Sequence, residues 1–124
     1  MKYIKSYNEN NLEKIISFIE NNIFINSKYH IVKSDNYIEL RDSDMNDYHG
    51  SNMILSTIIN EKDPSILYII NILKDEIKKA ISELKIRYTL RFWFIEDYSK
   101  IEKLIDDFVT KNQDLLQANQ LGLL

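Results

Sequence analysis

Apolar residues recur at helical spacing in three stretches of the chain and at alternating spacing between them. In "NNLEKIISFIENNIF", Leu12, Ile15, Ile16, Ile19 and Ile23 fall three and four apart, and Asn10 stands three residues before Glu13 in the manner of a capping box. The pattern predicts a helix over about residues 10–24. Ahead of it, "MKYIKSY" reads as a short strand, with Tyr3 and Lys5 on one side and Ile4 on the other.

The segment "KYHIVKSDNYIELRD" predicts two strands around a tight turn at Ser34, Asp35 and Asn36, whose side chains bond readily to their own backbone. Alternation places Val32, Ile38 and Leu40 on one face and Tyr29, Ile31, Tyr37, Glu39 and Arg41 on the other. "NMILSTII" adds a third strand in which both faces are apolar enough to be partly covered.

A helix follows "EKD", with Asp63 expected as N-cap and Pro64 as first helical residue, since proline lacks the amide hydrogen that would be orphaned there. Its stripe is Ile66, Ile69, Ile70, Leu73, Ile77, Ala80, Ile81 and Leu84. "KIRYTLRFWFIED" is dense in aromatic and β-branched residues and predicts a central strand, with Tyr88, Leu90 and Phe92 on one face and Arg87, Arg91 and Trp93 on the other. Ser99 and Glu102 have the spacing of a capping box before a last main helix lined by Ile101, Leu104, Ile105 and Phe108. The tail "DLLQANQLGLL" either extends that helix or forms a short separate one ending near Gly122.

This order predicts a single α+β domain over residues 1–124. The expected form is a two-layer sandwich with a mostly antiparallel sheet of four to five strands, split-βαβ-like, and helices packed on one face.

Composition narrows the function classes. The chain of 124 residues is long enough for its own core, and it has no cysteine, which removes disulfides, thiolate metal sites and thiol nucleophiles. The N-terminus lacks an apolar signal region and no apolar run approaches the roughly 18 residues of a membrane span, so a cytoplasmic protein with no membrane partner is expected. With glycine only at Gly50 and Gly122, no P-loop, dinucleotide fingerprint or hydrolase elbow can form, and no cofactor is expected. Twenty-one isoleucines and thirteen asparagines suggest an AT-rich gene of the kind common on mobile elements.

Charge changes the picture further. The net charge is −3, and residues 42–63 account for more than all of it, with Lys62 alone against Asp42, Asp44, Asp47, Glu61 and Asp63. No basic face of the kind that displaces counterions from nucleic acid is evident, so nucleic acid is disfavoured as main ligand.

The acidity centres on "RDSDMNDYHGSN", residues 41–52. Read as a calcium loop starting at Asp42, it supplies Asp42, Asp44 and Asn46 at positions 1, 3 and 5, but puts Asp47 where the turn needs glycine and Met53 where the bidentate glutamate belongs. His49 has only His30 as a possible companion, so no metal site is expected. Asp35, Glu39 and Arg41 form a distorted version of a nuclease triad, with arginine in the place of the lysine such chemistry uses.

Without a catalytic motif, the expected function is a non-catalytic binding or inhibitor module. The loop fits recognition of a partner with a basic surface, such as a nucleic-acid-acting bacterial toxin neutralised by its immunity protein, or the target of a phage-type inhibitor. The partner-binding residues expected are Asp42, Asp44, Asp47 and Tyr48 of the loop, Tyr37 and Glu39 of the strand before it, and Trp93. A small metal-dependent phosphodiesterase using Glu39 and the loop aspartates is one alternative. A homo-oligomeric subunit joined through its tyrosine-rich strand face is another.

Overall fold

The computed structural model describes residues 2–43, 53–86 and 95–120. In chain order the elements are α1 (Lys2–Asn22), β1 (Tyr29–Ser34), β2 (Tyr37–Asp42), β3 (Met53–Ile58), α2 (Ile66–Ile86), α3 (Ile95–Lys111) and α4 (Gln113–Gln120). The fold is α+β, and among the described residues the sheet has three antiparallel strands in the order β1-β2-β3.

Helix α1 takes in residues 2–7 of the segment expected as a first strand, which therefore contribute no strand. A strand needs a neighbour for its backbone, whereas extending a nucleated helix adds one hydrogen bond for each residue fixed. The helix ends at Asn22, whose side-chain amide donates to the Phe18 carbonyl at 2.8 Å. The Ile23 and Phe24 amides both donate to the Ile19 carbonyl, and Asn26 then turns the chain with a left-handed φ of 61°, a conformation asparagine tolerates.

The β1–β2 hairpin forms as expected, with Asp35 and Asn36 as the two exposed turn residues. Its faces differ from the alternation read across the turn. Tyr29 pairs with Asp42 and Ile31 with Leu40, so odd positions of β1 share the inner face with even positions of β2. Tyr29 and Ile31 are buried and belong with Ile38 and Leu40, while Val32 lies opposite Glu39 on the outer face. A two-residue connection reverses the parity that a continuous strand would keep.

Strand β3 follows β2 in regular register from Ile58 back to Leu55, then shifts: Leu40 pairs with Leu55 but Arg41 with Met53. Ile54 is the extra residue of a bulge, and this is why Ile54 and Leu55 are both buried although they are neighbours. The Tyr98 hydroxyl donates to the Ile54 carbonyl at 3.2 Å, satisfying a group displaced from the ladder.

Helix α2 starts two residues later than expected. Ser65 stands at its cap, its hydroxyl accepting from the Tyr68 amide at 3.0 Å. The predicted stripe is correct: Ile69, Ile70, Leu73, Ile77 and Ala80 are fully buried, with Ile66, Ile81 and Leu84 packed at its margins. Helix α3 starts at Ile95, so Ser99 and Glu102 lie inside it and do not cap it, and Glu96 and Asp97 occupy the first turn where carboxylates favour the helix dipole. Ile101 and Ile105 are buried from α3, and Leu104 and Phe108 pack beside them. Within the tail, Gln113–Gln120 forms the separate helix α4, whose Leu116 joins the core; the end expected near Gly122 lies outside the described residues.

The strand expected over "KIRYTLRFWFIED" lies outside the described residues for positions 87–94; Lys85 and Ile86 belong to α2, and Ile95, Glu96 and Asp97 to α3. The α2 start is tied to the end of β3, where the Asn60 amide donates to the Tyr68 hydroxyl at 3.0 Å, and the α3 start is tied to the beginning of β3 through Tyr98. Lys74 of α2 and Asp106 of α3 pair at 3.0 Å, a further tie between the two helices. Inner-face residues of the sheet share one core with α1, α2, α3 and α4, and Phe18 of α1 meets Phe108 of α3 edge to face at 5.8 Å. Among the described residues, no helix is long and apolar enough to cross a membrane.

Candidate functional site

The outer face of the sheet carries two of the residues expected to bind a partner. Strand pairing sets His30 beside Arg41, Val32 beside Glu39 and Ser34 beside Tyr37, then Tyr37 beside Ile58, Glu39 beside Ser56 and Arg41 beside Met53. Central-strand residues Tyr37, Glu39 and Arg41 are half-buried by their neighbours, whereas Ser56, Met53 and Ile58 of β3 are exposed, Ile58 at 57%. Two large apolar side chains thus face outward next to an aromatic ring and an ion pair.

That ion pair is local. Arg41 Nε donates to Glu39 Oε2 at 2.9 Å and Nη2 reaches the same oxygen, which leaves Oε1 for another donor. Residues two apart on one strand face the same side, which is why the guanidinium reaches back to Glu39. Asp35, the third member of the nuclease-like set, stands in the exposed turn. Among the described residues, no group of three side chains comes together to hold a metal ion.

Asp42 itself departs from the exposed position expected of it. It is the last residue of β2, faces the core with a relative exposure of 5%, and pairs with Lys28 Nζ at 3.0 Å. The same ammonium lies 3.2 Å from Asp97 Oδ1, and the Tyr29 hydroxyl donates to that oxygen at 2.6 Å. The Lys28 carbonyl accepts from both the amide and the hydroxyl of Ser43, closing the end of the hairpin. A buried carboxylate is retained only when it is paired, and here one ammonium serves two of them.

The electrostatics follow from this geometry. The Asp42 carboxylate is the largest influence raising the Lys28 ammonium above its ordinary value; burial opposes it and Asp97 adds to it. Burial is the main cause that pushes the Tyr29 hydroxyl far above its ordinary value, with the bond to Asp97 adding to it. Tyr29 therefore stays a neutral donor, suited to structure and not to acid–base chemistry near neutral pH.

Of the seven expected partner-binding residues, Tyr37 and Glu39 lie on the outer face and Asp42 is turned inward. Asp44, Asp47, Tyr48 and Trp93 lie outside the described residues, as do Arg87 and Arg91. The Lys28–Asp97 link escaped the sequence reading because no local spacing announces a contact across 68 positions between Tyr29 and Asp97. Met53 and Ile58 were legible as part of a strand, but their outward placement depends on the bulge and the hairpin register.

No family model matches this chain, and no curated protein or solved structure shows significant similarity to it.

Proposed function

We propose that this chain is a non-catalytic protein-binding module that neutralises a partner with a basic surface, in the way an immunity protein or a phage-type inhibitor blocks a nucleic-acid-acting protein. The observation that carries the reading is the outer sheet face, where exposed Ile58 and Met53 stand beside Tyr37 and the Glu39–Arg41 pair. Exposed apolar and aromatic side chains beside an arginine are the usual make-up of a protein-binding patch. This reading takes the molecule as a two-layer sandwich with the helices behind and the sheet forward.

Charge supports the choice of partner. With Asp42 paired to Lys28, the remaining acidity of residues 42–63 rests on Asp44, Asp47, Glu61 and Asp63 against Lys62. A cationic surface approaching that segment gains in encounter rate, and exposed charges act mainly there. The described carboxylates near the sheet support binding over hydrolysis, since Asp42, Asp97 and Glu39 are each occupied by a cation of the chain itself.

The test is association of the purified chain with the basic nucleic-acid-acting proteins encoded beside its gene, measured at two salt concentrations. Binding that inhibits the partner and slows as salt rises supports the proposal. A rise in melting temperature on adding magnesium, manganese or calcium, together with phosphodiester cleavage, would replace it with the metal-dependent reading.

A further inference from the structure

Met53 and Ile54 stand one residue of slippage away from exchanging places. In the observed register Leu40 pairs with Leu55 and Arg41 with Met53, so Ile54 is the extra residue and lies in the core, while Met53 is 36% exposed. Without the bulge, Arg41 would stand opposite Ile54 and Asp42 opposite Met53. Residues paired across antiparallel strands share a face, so Ile54 would then join Arg41 outside and Met53 would join Asp42 inside.

Burial separates the two registers only weakly. Each turns one apolar side chain inward, and isoleucine and methionine differ little in volume. Backbone pairing favours the plain register, because a bulge leaves its extra residue unpaired. A contact from outside β2 and β3 is therefore needed to hold the bulge.

Tyr98 supplies such a contact. Its side chain is fully buried, and its hydroxyl donates to the Ile54 carbonyl at 3.2 Å. A carbonyl displaced from the ladder inside a protein needs a donor, and removing that donor leaves the oxygen desolvated and unpaired. The hydroxyl is held in place through Asp97, its neighbour in the first turn of α3, which pairs with Lys28 and through it is linked to Asp42 at the end of β2. The Tyr29 hydroxyl ties Asp97 to β1 as well. One helical turn is thus attached to all three strands, and it meets β2 and β3 beside the point where the two registers diverge.

We propose that the first turn of α3 selects the register of β3: the Tyr98 hydroxyl holds the bulge at Ile54 and so puts Met53, in place of Ile54, on the outer face beside Arg41. The choice sets a flexible thioether next to the Glu39–Arg41 pair instead of a stiff β-branched side chain. It stands whether or not that face binds a partner, and it is tested without one.

The experiment is oxidation of the full chain by hydrogen peroxide, with the sulfoxide at Met53 followed by peptide mass spectrometry, in the wild type and in Tyr98→Phe. The variant keeps the ring and removes the hydroxyl. With Met53 turned inward its oxidation is expected to slow about threefold or more, since reactivity follows exposure. A strand that merely loosened would be oxidised faster. In NMR spectra of the same variant, the cross-strand proton contacts of Arg41 should move from Met53 to Ile54. Adding Met53→Lys, a side chain that resists burial, should return them to position 53 even without the hydroxyl. Oxidation of Met53 that is unchanged or faster in Tyr98→Phe, with Arg41 still opposite Met53, would overturn the proposal. So would a Tyr98→Phe chain that circular dichroism shows to be unfolded, because the plain register needs no hydroxyl.

Discussion

The Tyr29 hydroxyl donates to Asp97 Oδ1 at 2.6 Å, joining the first residue of β1 to the first turn of α3 inside the protein. Lys28 completes the joint by holding Asp97 and Asp42 together. This contact decides that the cluster is a brace between sheet and helix, and it makes the brace testable by removing one atom.

Tyr29→Phe deletes the donor and leaves a nearly buried carboxylate with Lys28 alone. A hydrogen bond to a charged group contributes roughly 1.5–3 kcal/mol, so a loss of about that size is expected in urea unfolding. A loss below about half a kcal/mol would show that Asp97 finds water or another donor at no cost.

The same joint sets a pH dependence. Tyr29 and Lys28 both titrate above their ordinary values of 10.0 and 10.5 in the folded protein. The unfolded chain therefore loses these protons first as pH rises, so the folded state binds more protons and stability falls. The contribution is fully present below pH 10 and declines as pH rises above it. Thermal melts from pH 8 to 11 should show the fall in the wild type and a smaller one in Tyr29→Phe.

Asp42 and its loop neighbours should separate cleanly. On the proposed reading, in which Asp44 and Asp47 meet the partner, Asp44→Asn with Asp47→Asn is expected to slow association with a basic partner and flatten its salt dependence, because such charges act mainly on encounter rate. Asp42→Asn should instead lower stability by about 1–2 kcal/mol, a figure reduced for the partial exposure of Lys28. A stable Asp42→Asn variant with slowed association would return Asp42 to the binding surface.

Ile77 is fully buried on the α2 stripe. Ile77→Ala should cost roughly 2–4 kcal/mol through lost transfer energy and the cavity left behind, read as a lower denaturation midpoint without change in slope.

Ser65→Ala tests the observed start of α2. Loss of the hydroxyl that accepts from the Tyr68 amide is expected to cost about 1 kcal/mol. An unaffected melting temperature would mean that the first turn is capped by another group.

Where a single element could be judged by its own period, the sequence was sufficient. The α2 stripe, the α3 face from Ile101 to Phe108, the hairpin turn at Asp35 and Asn36 and the existence of β3 all follow from spacing, because hydrophobic burial acts on each helix or strand face separately. Helix boundaries followed less well, as the caps at Ser65 and the start at Ile95 show, since several polar residues could serve and only the path of the chain selects one.

Tertiary structure alone decided the faces and the site. The parity of β1 against β2 came from a two-residue turn, and the burial of both Ile54 and Leu55 came from a bulge that places Met53 beside Arg41. Residues 2–7 became helix because a helix satisfies its own backbone, whereas a strand requires a partner that the sequence does not name. Asp42 reads as one more acid in an acidic run, yet it is buried because Lys28 and, through it, Asp97 lie close enough to offset the cost of leaving water. Charge along a chain is visible residue by residue, but whether a charge faces solvent or a counter-charge is a property of distance between segments, and only the folded chain sets that distance.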